Sequence, residues 1–262
     1  MYNFDVELPK SVADAVAALG REEAQALGGG QTLIPTLKQR LASPSVLVAL
    51  SGIGELKGVC MDGGALVIGG ATTHATVARE AAAHYPGLAG LASHIGDPAV
   101  RNRGTIGGSL ANNDPAACYP AAALGSGATI KTNTREVPAD DYFQGMFSTA
   151  LQEGEIITSV RFPVPQASNY QKFVQPASRF ALVGVFVAKY ADGVRVAVTG
   201  ASNDGVFRWS DAENALSSDF SVKAVDGLSV SAENMITDLH GTAAYRAHLV
   251  AVMTKRAVAA AA

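Results

Sequence analysis

Short apolar runs with a readable period alternate along this chain with glycine and proline breaks. Between Ser11 and Gly20, the residues Val12, Ala13, Val16, Ala17 and Leu19 recur at helical spacing. That predicts a helix with Ser11 as N-cap, Asp14 at the first-turn position a capping box uses, and Gly20 as the stop. Ala26-Leu27 reads as a short strand entering Gly28-Gly29-Gly30-Gln31-Thr32, after which Leu33, Ile34, Leu37 and Leu41 mark a helix. Val46–Leu50 is a compact strand, and Gly58–Met61 with Ala65–Ile68 flank Asp62-Gly63-Gly64 as a hairpin. Helices are predicted over Val77–His84 and Gly87–Ile95. From Gly96 to Pro115 the chain is polar, glycine-rich and without period. At its end Asp114 and Pro115 suit the N-cap and N1 positions of a helix over Ala116–Leu124. Strands follow at Ala128–Lys131 and Ile156–Phe162, and Pro163-Val164-Pro165 with Ser168-Asn169 marks a domain boundary. Beyond it, Tyr170–Val174, Ala181–Tyr190 and Val194–Thr199 read as strands, the last two paired around Ala191-Asp192-Gly193. Helices are predicted at Ala212–Leu216 and from about Ala243 to Val258.

Composition narrows the class. A chain of 262 residues, 48% hydrophobic and 16% charged, can bury a core and is not disordered as a whole. Its 27 glycines exceed the usual share of roughly 7%, so tight turns or close backbone approaches are expected. A net charge of -3 without any Lys/Arg block makes nucleic acid and anionic membrane poor partners. Two distant cysteines, Cys60 and Cys118, exclude a four-cysteine zinc or iron–sulfur site built by this chain alone. No basic segment followed by an apolar stretch opens the sequence, and no uncharged apolar run reaches about 18 residues. A soluble α+β or α/β protein of a reducing compartment is expected, with no metal ligands of its own.

Two segments carry candidate chemistry: Gly28-Gly29-Gly30-Gln31-Thr32 and Thr105-Ile106-Gly107-Gly108-Ser109. Each is a glycine turn ending in a hydroxyl residue. Successive bare N–H groups in such a turn form an anion nest, and a following helix N-terminus adds partial positive charge. Either segment alone is accounted for as an ordinary tight turn. Brought together, they would hold a diphosphate from two sides. The chain has no phosphate-loop lysine motif, and Leu33 stands where a G-x-G-x-x-G fingerprint needs its third glycine.

Gly28–Pro35 and the Asp97–Pro115 stretch (Asp-Pro-Ala-Val-Arg-Asn-Arg-Gly-Thr-Ile-Gly-Gly-Ser, then Asp-Pro-Ala) resemble the FAD-binding medium subunit of molybdenum hydroxylases. That family includes aerobic carbon monoxide dehydrogenase, bacterial xanthine dehydrogenase and N-heterocycle hydroxylases. Glu155–Val160 and Tyr245–Leu249 fit as well, so the resemblance covers almost the whole chain. Gly28–Pro35 and Tyr142–Phe147 look most like carbon monoxide dehydrogenase-type medium subunits. The implied fold is α+β. A two-subdomain FAD-binding region of the vanillyl-alcohol oxidase (PCMH) type would span 1–165, with subdomains of about 1–57 and 58–165. A small C-terminal domain, 166–262, would hold a three-stranded antiparallel sheet and helices.

The resemblance also implies a site. Gly28, Gly29, Gly30, Gln31, Thr32 and Leu33, with Thr105, Ile106, Gly107, Gly108 and Ser109, would wrap the FAD diphosphate. Ile157 would pack on the flavin and Phe180 would lie near the isoalloxazine, although Phe180 reads equally as a strand residue beside Leu182 and Val183. Many relatives place an acidic ribose ligand four residues after the Asp-Pro-Ala aspartate. Here that position is Cys118, so Asn113, Asp114 or water would take over. No histidine lies beside Gly28–Thr32, which implies noncovalent FAD. His74 falls in a stretch that often lies close to the flavin but is read rather as a hydrogen-bonded loop residue, and Arg101 or Arg103 as pairing with the diphosphate or with Asp97. No catalytic acid or base is nominated.

The implied holoenzyme is a dimer of heterotrimers, a heterohexamer. A large subunit would hold molybdenum–pterin and a small subunit two [2Fe–2S] clusters. This chain would pass their electrons to an external acceptor such as a quinone, in the cytoplasm or at the inner membrane face. The rivals are a stand-alone FAD oxidoreductase of the same superfamily and a binding module that holds no nucleotide.

Overall fold

A computed structural model describes residues 1–261. Ala262, the last residue of the expected C-terminal domain, lies outside them. The chain is α+β and builds three sheets in sequence order. The first is parallel, with Val46–Ala49 between Asp5–Glu7 and Ala24–Leu27. Its inner strand is buried on both faces, which is why it reads as an unbroken apolar run. Ser11 caps the helix Val12–Leu19 by accepting the Asp14 N–H, as the sequence predicts.

The second sheet is antiparallel, in the order Val59–Asp62, Ala65–Gly69, Ile157–Pro163, Thr129–Thr132, Glu136–Pro138. The helices His74–Glu80, Pro86–Ser93, Ile106–Asn112 and Tyr119–Ser126 pack into a core with its apolar side chains. The third sheet pairs Ala167–Val174, Ala181–Tyr190 and Gly193–Ser202 as three long antiparallel strands, and the short strand Gly205–Arg208 extends it at one edge. Helices Ser210–Ser218 and Ala243–Ala260 cover one face of it.

The helix Tyr119–Ser126 joins the second and third sheets. Gly125 lies so close to the third sheet that a Cβ there would stand 3.0 Å from the Phe186 ring. Arg195, on the third sheet, donates to Leu124 O and holds both Asp140 carboxylate oxygens at 2.8 Å. None of the helices among the described residues is long and apolar enough to cross a membrane.

Several expected boundaries move. The helix expected over Ala116–Leu124 begins at Tyr119 instead. Asp114 accepts from the Ala116 N–H in a local turn, and the helix is buried on every residue, so no amphipathic period marks its start. The stretch without period holds two helices, Pro98–Arg103 and Ile106–Asn112, each too short to display a period. The helix after the first glycine turn stops at Lys38, because Arg40 adopts φ +60 and leaves Leu41 exposed.

Gly90 sits inside the helix Pro86–Ser93 with nothing within 4 Å of where its Cβ would stand. Gly90→Ala is expected to stabilise the protein by about 0.5–1 kcal/mol, since alanine restricts the unfolded chain and favours helix. Thermal denaturation should show a rise of roughly 1–4 °C.

Candidate functional site

The two glycine turns meet. A Cβ on Gly29 would stand 2.0 Å from the Arg103 carbonyl oxygen and 2.5 Å from Gly104 Cα, so main chain lies directly on main chain. A Cβ on Gly28 would stand 3.0 Å from Thr105 Oγ1. Gly30 takes φ +71, the left-handed region that glycine enters without strain, and so turns the strand Ala24–Leu27 into the helix Leu33–Lys38.

A cavity of about 610 Å³ runs along this junction. Its wall includes Gly28, Gly29, Gly30, Gln31, Thr32, Leu33, Thr105, Gly107, Gly108, Ser109, Asp114, Ile157 and Phe180. Ile106 and Asn113 are outside it. Ile106 is fully buried in the core around the second sheet. Asn113, considered above as a ribose partner, has a structural job: it takes φ +43 at the helix end, and its Nδ2 donates to Gly145 O and Ser148 O, both at 2.8 Å. With both amide protons engaged, it is replaced as a ribose candidate by Asp114, whose carboxyl burial raises above the usual range.

The turns differ in what they offer. From Gly29 through Leu33, no main-chain N–H finds an acceptor among the described residues, leaving a continuous run of bare donors. The second turn is not a second nest. Ile106 N donates to Thr72 O, Gly107 N to Gly70 O, Gly108 N to Thr105 Oγ1 and Ser109 N to Thr105 O. It is a wall: Thr105, Gly107, Gly108 and Ser109 line the cavity that the bare donors of the first turn also border. The missing Cβ of Gly107 faces Gly70 O, at 2.6 Å, so this glycine serves the seating of the turn on residues 70–74.

The surrounding polar groups are mostly committed. Asp97 Oδ1 caps its helix through Val100 N, and Arg101 donates to Ile95 O and Gly96 O, so the considered Arg101–Asp97 ion pair is absent. Arg103 is exposed and outside the cavity wall. Glu155 is held far below the ordinary carboxyl range by Arg135, which donates to both its oxygens at 2.9 Å. His74 is buried beneath the second turn, its ring 5.3 Å from that of Tyr119, and its Nδ1 has no partner, contrary to the hydrogen-bonded role read from sequence. Burial, aided by Arg101, lowers its pKa to about 4. Cys118 is buried in the wall, its sulfur 3.5 Å from Lys172 Nζ, which also donates to His94 O.

Lys172, Arg179 and Glu155 line the cavity and were not singled out from sequence. Lys172 carried a usable signal, since it shares the inward face of its strand with the buried Ser168 and Tyr170. A cavity of this volume, lined both by the bare donors of the first turn and by the glycine backbone of the second, suits a dinucleotide with its diphosphate at the donors. The fit rests on the missing side chains at Gly28 and Gly29.

Comparison with known proteins agrees in kind. Residues 2–165 match the family described as the FAD binding domain in molybdopterin dehydrogenase. Over 98% of its length the chain is 35% identical to the carbon monoxide dehydrogenase medium chain of Afipia carboxidovorans, covering 96% of that protein. It is 34% identical to the nicotine 6-hydroxylase medium subunit of Paenarthrobacter nicotinovorans, over 95% of this chain and 94% of that one. The structure of reconstituted CO dehydrogenase from Oligotropha carboxidovorans matches with a TM-score of 0.89 at 33% identity, covering 98% of this chain and 97% of that one.

Proposed function

Because the chain belongs to the family of FAD-binding domains in molybdopterin dehydrogenases, we propose that it relays electrons as the flavin subunit of a carbon monoxide dehydrogenase-like molybdenum hydroxylase. The observation that carries this reading is the closure of Gly29 onto Arg103 and Gly104 beside the bare N–H run. In this reading residues 1–165 hold the cofactor and 166–262 form the C-terminal domain, which contributes Lys172 and Phe180 to the same cavity. Gly29 through Leu33 cradle the diphosphate, Gly107 seats the second turn on Gly70, Gly108 lines the facing wall, and Ser109 offers a hydroxyl. FAD supplies a ring that can take up and release one or two electrons. The chain's task is to bind, orient and shield that ring.

The division of labour follows from ligand count. Two [2Fe–2S] clusters take four cysteine ligands each, and this chain has Cys60, which is exposed, and Cys118, which is buried. In this reading the clusters sit on a small partner subunit, and the family likeness adds a large subunit with molybdenum–pterin and assembly as a dimer of heterotrimers. An external acceptor such as a quinone removes the electrons, either in the cytoplasm or at the inner membrane face. The choice of substrate belongs to the molybdenum subunit.

The test is isolation of the protein from its native host. Bound FAD near one per chain, with co-purifying molybdenum and iron–sulfur subunits, is expected. A yellow protein that turns over a substrate by itself would favour a stand-alone oxidoreductase. A protein that stays colourless after FAD addition would favour a nucleotide-free binding module.

A further inference from the structure

The loop Gln175–Phe180 joins two strands of the third sheet and carries Ser178, Arg179 and Phe180 to the rim of the cavity. It is tightly held. Gln175 Oε1 accepts from Ser178 N and Oγ, Gln175 N donates to Phe180 O, and Arg179 N donates to Gln175 O. Gln175 itself is buried, and its Nε2 contacts the His240 ring at 3.2 Å. This clamp holds Arg179 at φ +63, a region that non-glycine residues enter uncommonly.

What is presented is a free cation beside an aromatic ring. Among the described residues lining the cavity, the charged ones are Asp114, Glu155, Lys172 and Arg179, and Arg179 alone is exposed. Lys172 is tied to His94 O and Cys118, and Glu155 to Arg135, whereas the Arg179 guanidinium has no hydrogen-bond or ion-pair partner among the described residues. Asp97 feels its field without pairing, its Oδ1 being taken by the helix cap. Phe180 follows with its ring half exposed. The other exposed polar residues on the cavity wall, Gln25, Gln31, Thr32 and Ser178, are uncharged.

We propose that Arg179 with Phe180 forms the docking point for the external electron acceptor and selects a planar aromatic ring bearing an anionic group, a quinone acid or sulfonate in chemical class. The phenyl face stacks on the ring and the guanidinium pairs with the anion. The quinone group of such an acceptor would take up two electrons and two protons, supplied by FADH2 as it returns to FAD, and leave as the hydroquinone. This inference rests on the electron-relay reading above.

The test uses the FAD-loaded complex in its oxidised state, titrated with 1,4-naphthoquinone-2-sulfonate and with neutral 2-methyl-1,4-naphthoquinone, binding being read from perturbation of the flavin absorbance. Arg179→Gln should weaken the sulfonate by about tenfold or more, abolish the salt dependence of its binding, and leave the neutral quinone within about twofold. Arg179→Lys should retain most of the preference. Equal weakening of both quinones, or of neither, overturns the proposal. So does a fall in the FAD-to-protein ratio on Arg179→Gln, since Arg179 would then serve the cofactor. Wild-type complex that carries no flavin instead overturns the underlying relay reading, and the flavin spectrum separates the two failures.

Discussion

Gly29→Ala should strip FAD from the chain. The new methyl carbon would fall 2.0 Å from Arg103 O and 2.5 Å from both Arg103 C and Gly104 Cα. All three atoms are backbone, so no side chain can swing aside, and the first turn must lift off the second. Lifting it misaligns the N–H groups from Gly29 to Leu33 that have no other acceptor. Hydrogen bonds to a charged group are worth about 1.5–3 kcal/mol each. Losing two of them weakens FAD by roughly 10²-fold to 10⁴-fold. Fluorescence titration of the apoprotein with FAD measures the affinity, and circular dichroism checks that the variant folds. A Gly29→Ala protein that folds and keeps wild-type affinity would remove the basis for placing a diphosphate here. Gly107→Val is a poorer probe, because its side chain would strike Gly70 O and damage the seating of the turn before it reached any ligand.

How much of this was legible beforehand depended on whether a residue's role is local. Ser11, the strand Val46–Ala49 and the paired strands around Asp192 announce themselves through caps, apolar runs and turn residues. The glycine turns could be found because a glycine cluster has few other uses. Their difference could not, since whether an N–H is bare depends on distant partners: Thr72 and Gly70 consume the donors of the second turn. The same holds for Asn113, whose amide goes to a loop 32 and 35 residues away. Helix Tyr119–Ser126 hid its start because burial all round erases amphipathic contrast. Arg179 carries no sequence signal, because its strained backbone comes from the Gln175 clamp and not from its own type.

A second large effect is expected in acid, through His74. Its ring is buried under the second turn, where Gly104 approaches so closely that a Cβ there would stand 2.5 Å from Nε2. Burial, with Arg101 adding to it, lowers the folded pKa from 6.5 to about 4. The unfolded chain therefore takes up a proton as pH falls below about 6.5, whereas the folded chain refuses it until about 4. Stability is lost across that window as pH falls, and none of the loss remains above it. The full span amounts to roughly 3 kcal/mol, of which about 2 kcal/mol should already be gone at pH 5. For a chain of this size that is roughly 4–8 °C in Tm. His74→Gln keeps a neutral polar group and removes the titration, so its Tm should fall less between pH 7.5 and pH 5 than that of wild type, by about this amount. Other titrating groups contribute to both proteins and cancel in the difference. Parallel Tm-against-pH curves would mean that His74 reaches solvent in the folded state, and the second turn would then lack the dry support on which its position beside Gly29 depends.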